Sequence, residues 1–290
     1  MNKIKTSLLL LIIIPIIGFS QNKKQTLSKK EQRKERPTYI SVTTGMSLSN
    51  FRDFATSPLV YNGVSGYISL SHIKSDQQRE SEIGFSYSSG IYNNIFNNHS
   101  TISKVRTASI YYSKLYQLSK LSSEKLNVKI GGLFNTTGNF RINGDLNNNA
   151  YGFEFSPTLM GSVKITKDIS RKEDKNKKFL FIKYKLKQKT RDLAFRFNVG
   201  LINSSFRNGF VYSGQSGIIN EPNVFDDYQF KLFSGFRMSS ALDYTVSLKN
   251  KNKIQLSYLW GAYKTGGDLD KFEMAHHTIK FTLLFNTNNK

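Results

Sequence analysis

The sequence predicts an all-β fold, an up-and-down antiparallel β-barrel of about 12 strands, with roughly 10 to 14 possible. Apolar residues alternate with polar ones along many short segments, which is the period of a strand and not that of a helix. Segments rich in Asn, Gly and Ser separate these stretches, as turns do. After the first 20 residues there is no long apolar run, so the chain could cross a membrane only as a closed barrel.

The first 20 residues have the composition of a secretory signal peptide. Two lysines precede an apolar run over 7–19, and Gly18 and Ser20 are the small residues before a cut at Gln21. The run is shorter than the ~20 residues of a transmembrane helix. The chain has no Cys, which excludes a lipoprotein anchor. We therefore expect an exported protein that is held together by its sheet and not by disulfides.

Residues 21–36 form a basic segment within a chain of formal net charge +22. The segment carries seven Lys or Arg against Glu31 and Glu35. This composition predicts a solvated, flexible periplasmic linker. It lacks the interleaved aromatic residues of nucleic-acid-binding segments, so we expect no nucleic-acid partner. Pro37 then marks the start of the barrel, which is predicted to occupy residues 37–290.

Six strands are predicted in the first part of the barrel. In the first of them, Ile40, Val42, Met46 and Leu48 share one face, and small polar residues that suit a lumen share the other. The sixth has the clearest alternation. The six span about 38–49, 66–73, 82–92, 104–118, 125–137 and 151–165.

Six further strands are predicted in the second part. Residues 228–248 keep one phase throughout, so they form one long strand or two strands joined at 239–241. Single-chain bacterial barrels have an even number of strands, which favours two. This count places the long connection 204–227 on the same side as the termini, where turns are usually short. The six span about 179–187, 193–203, 228–238, 242–248, 253–263 and 276–285.

The last predicted strand has an aromatic-rich apolar face, formed by Ile279, Phe281, Leu283 and Phe285. It resembles the closing strand of bacterial outer-membrane β-barrel proteins, although that family usually ends on the aromatic residue and this chain continues through 286–290. The resemblance implies a transmembrane barrel in the outer membrane, in contact with its lipid and lipopolysaccharide. It also implies recognition by the barrel assembly machinery through the C-terminal strand.

A soluble β-sandwich or a lipocalin-like barrel is the structural alternative. Such a fold would bury the apolar face and expose the polar one, the reverse of a membrane barrel. Alternation alone does not say which face is inside. The signal peptide, the many Phe and Tyr residues and the closing strand favour the membrane barrel.

A strongly basic set of side chains is predicted to project into the lumen. Charged side chains that face the lumen must form ion pairs or remain hydrated. The set therefore predicts either an ion-pair network that fills a narrow barrel or a basic pore that selects anions. A third possible role of these charges is contact with lipid phosphates at the rim of the barrel. The basic candidates are Lys164, Lys183, Lys185, Lys187, Arg196, Lys231, Arg237 and Lys280, and the acidic candidates are Glu154 and Asp243.

The histidines do not form a recognisable catalytic or metal site. Barrel lipid hydrolases use a Ser that a nearby His activates, with the two spaced as His-x-Ser. His72 has Ser75 at i+3, on the opposite strand face, and His276 and His277 also point to opposite faces. We expect no catalytic residues, metal or cofactor.

Three function classes follow from the sequence. The first is a narrow anion-preferring pore for small solutes. The second is a non-conducting structural or accessory barrel of a secretion or surface-assembly system. The third, an envelope-lipid hydrolase, lacks its motif.

Overall fold

The computed structural model describes residues 36–96, 99–208, 228–267 and 270–288. The predicted signal peptide, and the predicted linker up to residue 35, lie outside the described residues. From residue 37 onward the described chain forms antiparallel β-structure. Two short 3-10 turns, Ser119–Leu121 and Gly144–Asn149, interrupt it.

The described residues form fourteen strands. They are β1 (Thr38–Asp53), β2 (Ser57–Ser75), β3 (Arg79–Phe96), β4 (His99–Gln117), β5 (Leu126–Ile142), β6 (Tyr151–Asp168), β7 (Lys175–Phe179), β8 (Ile182–Leu186), β9 (Arg191–Asn203), β10 (Ser205–Asn208), β11 (Tyr228–Lys231), β12 (Phe236–Ser247), β13 (Lys253–Thr265) and β14 (Phe272–Asn286).

Twelve of these strands belong to one sheet, which confirms the predicted fold class, and ten of the twelve close the barrel wall. Around the wall the order is β1, β2, β3, β4, β5, β6, β9, β12, β13, β14 and back to β1. The remaining two, β10 and β11, prolong the wall at one end. There β10 continues β9 along β6 after a break at Ser204, and β11 pairs with β10.

The wall has two distinct ends. Tyr39 faces Asn286 across the β1–β14 pair at one end, and we call this the terminus end. Asp53 faces Phe272 at the other, which we call the loop end. Seven wall strands precede the segment 204–227, and this odd number places the described residues at its two sides, Asn208 and Tyr228, at the loop end. The expectation that it lies beside the termini was therefore wrong.

Two predicted strands account for that error. The predicted strand at 179–187 lies in a separate two-stranded sheet, in which β7 pairs with β8. The predicted turn at 239–241 does not exist, because those residues lie inside β12 and pair with β13. Small side chains such as Ser239 and Ala241 are compatible with a wall strand as well as with a turn, so composition could not separate the two.

The outer face of the wall is apolar and the inner face is polar. On β1, Met46 and Leu48 are 66% and 63% exposed, whereas Ser41 and Ser47 are buried. The same holds on β14, where Phe281 is exposed and Thr282 is buried. This is the pattern of a transmembrane barrel and the reverse of the soluble alternative.

Cross-strand hydroxyl pairs line part of the inner face. The Oγ atoms of Ser41 and Ser71 lie 2.6 Å apart, and Thr43 Oγ1 lies 2.9 Å from Thr282 Oγ1. These small hydroxyl side chains hydrogen-bond to one another and occupy little of the lumen. The larger charged and aromatic side chains therefore determine how much of the lumen is filled.

The strands are longer than a membrane crossing requires. A transmembrane strand needs ~9–11 residues, whereas β1 has 16 and β4 has 19. The predicted first strand ended at 49, but β1 continues to Asp53. The extra length carries inward-facing side chains beyond the apolar band, toward the loop end.

Candidate functional site

Four charged side chains meet inside the barrel near the loop end, and we call them the lumen plug. They are Asp53 on β1, Arg141 on β5, Glu154 on β6 and Arg207 on β10. The side chains are between 0% and 4% exposed. The plug holds two carboxylates and two guanidinium groups, so it is electrically balanced.

Each carboxylate of the lumen plug binds both arginines. Glu154 Oε2 accepts from Arg141 Nη1 at 3.0 Å and from Arg207 Nη1 at 3.3 Å. Asp53 Oδ1 accepts from Arg207 Nη2 at 2.7 Å, and Asp53 Oδ2 accepts from Arg141 Nη2. Asn139 Oδ1 accepts a further bond from Arg141 Nη1 at 2.6 Å. The donors and acceptors thus form one connected network, as buried charges require.

The contacts of Asp53 run across the lumen, whereas Glu154 binds arginines on the neighbouring strands β5 and β10. In the closed order, β5 lies four strands from β1 in one direction. The β9–β10 strand lies four strands from β1 in the other direction. A ten-strand wall has its opposite side five strands away, so Asp53 reaches its partners through the interior.

An aromatic layer packs against the lumen plug. The rings of Phe51 and Tyr61 stack with centroids 5.0 Å apart, and Tyr92 meets Phe51 edge-on at 5.4 Å. The guanidinium of Arg141 lies 4.1 Å from the ring centroid of Phe272. Phe51, Tyr61, Tyr92 and Phe272 are at most 4% exposed. Together the charges and rings fill the lumen near the loop end.

Below the lumen plug, a cavity of about 730 Å³ extends toward the terminus end. Its lining reaches Tyr39 near the start of β1 and Leu284 near the end of β14, both at that end of the wall. Seven acidic and seven basic side chains line it, so the described lining carries no net formal charge. The predicted excess of basic residues in the lumen is therefore wrong.

A second charge cluster crosses the lumen near the terminus end, around Glu80 at the start of β3. Its carboxylate contacts Lys164 Nζ at 2.7 Å, Lys129 Nζ at 3.6 Å and Nη2 of Arg196. Arg196 also reaches Glu82, with Nη1 3.3 Å from Oε2. The side chain of Glu80 is 5% exposed. One carboxylate thus connects β3 to β5, β6 and β9.

The predicted site residues lie in four places. Lys164, Arg196, Arg237, Lys280 and Asp243 line the cavity. Glu154 lies in the lumen plug. Lys231 lies on β11, in the extension of the wall, and Lys183, Lys185 and Lys187 lie outside the wall.

The prediction for Lys183, Lys185 and Lys187 was wrong because β8 is outside the wall, and Lys187 directly follows β8. Lys231 lies on β11, beyond the ten-strand wall, where it pairs with Ser205 on the face that carries Arg207. There its Nζ contacts Asp270 Oδ2 at 2.8 Å, at the loop end. Alternation identifies a strand but does not identify its pairing partner.

Sequence reasoning missed six of the charges in the lumen, among them Lys129, which lies inside the predicted strand 125–137. Asp53, Arg141 and Arg207 fell beyond the predicted strand ends at 49, 137 and 203. Glu80 and Glu82 precede Gly84 at the same two-residue spacing on β3. Extending that period backwards through Glu82 would have placed both carboxylates on the inner face.

Removing the carboxylate of Glu80 should destabilise the barrel strongly. We expect Glu80→Gln to lower the free energy of unfolding by ~3–5 kcal/mol, because three cations lose their buried partner. Urea titration of the refolded protein in lipid vesicles measures this. Glu273→Gln is the matched control, since Glu273 and its partner Lys271 are 41% and 33% exposed. It should cost ~0–1 kcal/mol, and equal losses would show that Glu80 is not essential to the cluster.

The histidines form no evident catalytic pair in the described part of the chain. His277 Nδ1 lies 2.6 Å from the hydroxyl of Tyr258. Within the described ranges, no group of three His, Cys, Asp or Glu side chains could hold a metal ion. No described helix is long and apolar enough to cross a membrane.

Comparison with known proteins gives structural resemblance only. No family model matches the chain, and no curated protein matches it. The translocator domain of the autotransporter NalP from Neisseria meningitidis is 7% identical, with a TM-score of 0.37, over 86% of this chain and 88% of that one. The transport unit of the autotransporter AIDA-I from Escherichia coli is 7% identical, with a TM-score of 0.37, over 97% of both chains.

A third similar structure is the P. putida toluene transporter TodX, which is 8% identical, with a TM-score of 0.31. The match covers 88% of this chain and 90% of that one. Scores this low carry no argument about function. The architecture rests on the closed strand pairing and the outward apolar face described above.

Proposed function

We propose that this chain is an outer-membrane β-barrel that does not conduct at rest and serves as a structural or accessory barrel in secretion or surface assembly. The lumen plug is the observation that carries the proposal. Its buried ion pairs connect opposite sides of the wall, and an aromatic layer seals them. A solute entering from the terminus end would reach the cavity and stop there.

The alternative is a narrow pore that prefers anions. Such a pore needs an open lumen and a lining with excess positive charge. Buried side chains fill the lumen near the loop end, and the cavity lining is balanced in charge. These two observations favour the accessory barrel over the pore.

Outer-membrane lipid, lipopolysaccharide and the barrel assembly machinery are the partners that fit this proposal. The outward-facing residues of β14, Ile279, Phe281 and Phe285, are 64%, 45% and 44% exposed, as a lipid-facing surface requires. The same strand closes the barrel by pairing with β1 from Phe272 to Asn286. The backbone N–H of Thr287 donates to the carbonyl of Thr38 at 2.9 Å and extends that pairing by one residue. An assembly machinery that recognises β14 would therefore bind the strand that completes the wall.

The proposal is tested by fractionation followed by electrical recording. The expressed protein should appear in the outer-membrane fraction and should migrate differently on gels with and without heating. Inserted into planar lipid bilayers, the folded protein should give no channels at moderate voltage. A soluble periplasmic monomer would overturn the location, whereas regular anion-selective openings would restore the pore.

A further inference from the structure

A charged hairpin leaves the wall between β6 and β9 at the terminus end. Its base continues the wall pairing, since the N–H of Ile169 donates to the carbonyl of Arg191 at 2.9 Å. Arg171 and Lys189 then exchange two backbone bonds of 2.9 and 3.1 Å. The arm beyond them consists of β7, β8 and the turn between them, and we call residues 171–189 the basic hairpin.

The basic hairpin carries a large excess of positive charge. Residues 171–189 contain nine Lys or Arg against two acidic residues, Glu173 and Asp174. Asp174 is held within the arm, where it accepts from the Gln188 backbone N–H at 2.6 Å and contacts Lys185 Nζ at 3.1 Å. These two donors lower the pKa of the Asp174 carboxyl, so it stays ionised near neutral pH. Even so, one carboxylate cannot balance the lysines that surround it.

The strand register gives the basic hairpin two different faces. Position 178 pairs with 183 and position 176 with 185, and three of these four residues are Lys. Like charges directly opposite each other destabilise a sheet. The positions that alternate with these lysines in the sequence of β8 are Ile182, Tyr184 and Leu186, which pair with positions 179, 177 and 175. The sequence of β8 therefore alternates basic with apolar residues.

The tip of the basic hairpin is apolar and exposed. Leu180 and Phe181 are 72% and 85% exposed, and Leu180 adopts a positive φ of 54° to make the turn. A lone two-stranded ribbon is marginally stable in water. Such a ribbon, with an exposed aromatic tip and paired lysines, is stabilised by a surface that offers both anions and an apolar layer.

The position of the basic hairpin identifies that surface. It extends from strands whose outward residues face lipid, namely Ile165 on β6 and Phe195 on β9, which are 38% and 45% exposed. We infer that the basic hairpin lies on the membrane leaflet at the terminus end, with its lysines on anionic lipid headgroups and Leu180 and Phe181 inserted below them. Polybasic segments beside a membrane bind anionic lipid in this way. The inference rests on the membrane location proposed above.

The chain allows a clean test because it contains no Cys. Phe181→Cys is labelled with a polarity-sensitive fluorophore, and the protein is refolded into phosphatidylcholine vesicles with or without phosphatidylglycerol. The emission should shift to the blue when phosphatidylglycerol is present, and added salt should reverse part of the shift. Lys249→Cys is the control, because Lys249 is exposed in the β12–β13 turn at the same end. Its label should respond little to lipid charge.

A charge variant separates lipid binding from simple proximity to the bilayer. In the Phe181→Cys background, changing Lys178, Lys183 and Lys187 to Gln should remove most of the shift that depends on phosphatidylglycerol. A shift that is equal in both lipids, equal at both label positions or unchanged by the three substitutions would overturn the inference. A shift that appears only after adding envelope proteins would point to a protein partner and would also overturn it.

Folding is scored first by the heat-modified gel band. Failure to insert at all argues against the proposed membrane location. Failure of the label to shift in an inserted barrel argues only against the lipid contact.

Discussion

Changing Glu154 and Arg207 together to Ala should convert a silent barrel into a conducting one. Glu154 and Arg207 are 0% and 1% exposed and are among the largest fully buried side chains. The double change removes one acid and one base, so Asp53 and Arg141 remain as a balanced pair. The space that is left is polar and joins the cavity below it, so water should fill it.

Single-channel recording of this double variant in planar bilayers measures the effect, with channels expected where the wild type has none. Lys271→Ala with Glu273→Ala is the matched control. It also removes one ion pair at the loop end, but from an exposed position. A folded double variant that stays silent would show that Glu154 and Arg207 are not the barrier and that the aromatic layer and the remaining pair are enough to block the lumen.

Replacing a single charged residue of the lumen plug should lower the stability of the barrel. Arg207→Ala leaves two buried carboxylates to share Arg141, and we expect it to cost ~3–5 kcal/mol of unfolding free energy. The double variant avoids that uncompensated charge. It should therefore retain more folded protein than the single variant, as measured by the heat-modified gel band.

Leu256→Arg should impair assembly far more than Gln255→Arg. These neighbours on β13 point to opposite faces, and Leu256 is 53% exposed on the outside, opposite Phe281. An arginine on the lipid-facing surface costs ~2–4 kcal/mol at the bilayer midplane and less toward the interfaces. Gln255 lines the cavity, where a guanidinium stays in water. The folded fraction recovered from membranes compares the two variants, and equal yields would mean that the outer surface of β13 does not face lipid.

Much of the outer surface was predictable from the sequence. Alternation on β1, β9 and β14 has the same phase in the sequence and in the structure, because lipid imposes an apolar residue at every second position. The inner face is harder to predict, since it tolerates Ser, Thr, Glu, Lys and Tyr alike. The sequence placed Glu154, Lys164 and Arg196 inside, but not the partners Asp53 and Glu80.

Two physical reasons explain what was missed. Arg141 and Arg207 lie on strand extensions beyond the apolar band, where no lipid enforces the alternation. The alternation of Lys183, Lys185 and Lys187 is as regular as that of a wall strand, yet β8 pairs only with β7. Strand pairing depends on distant segments, which a local period does not encode.

The long-range contacts of the lumen plug also constrain the order of assembly. Asp53 is 88 residues from Arg141 and 154 residues from Arg207 along the chain. Contacts of such separation form late and slowly, because a large loop must close before they provide any stabilisation. A nascent barrel that lacks β10 would hold two acids and one base at this place. The final balance of charge is reached only when Arg207 arrives, so the pairing of β10 with β6 is cooperative with the filling of the interior.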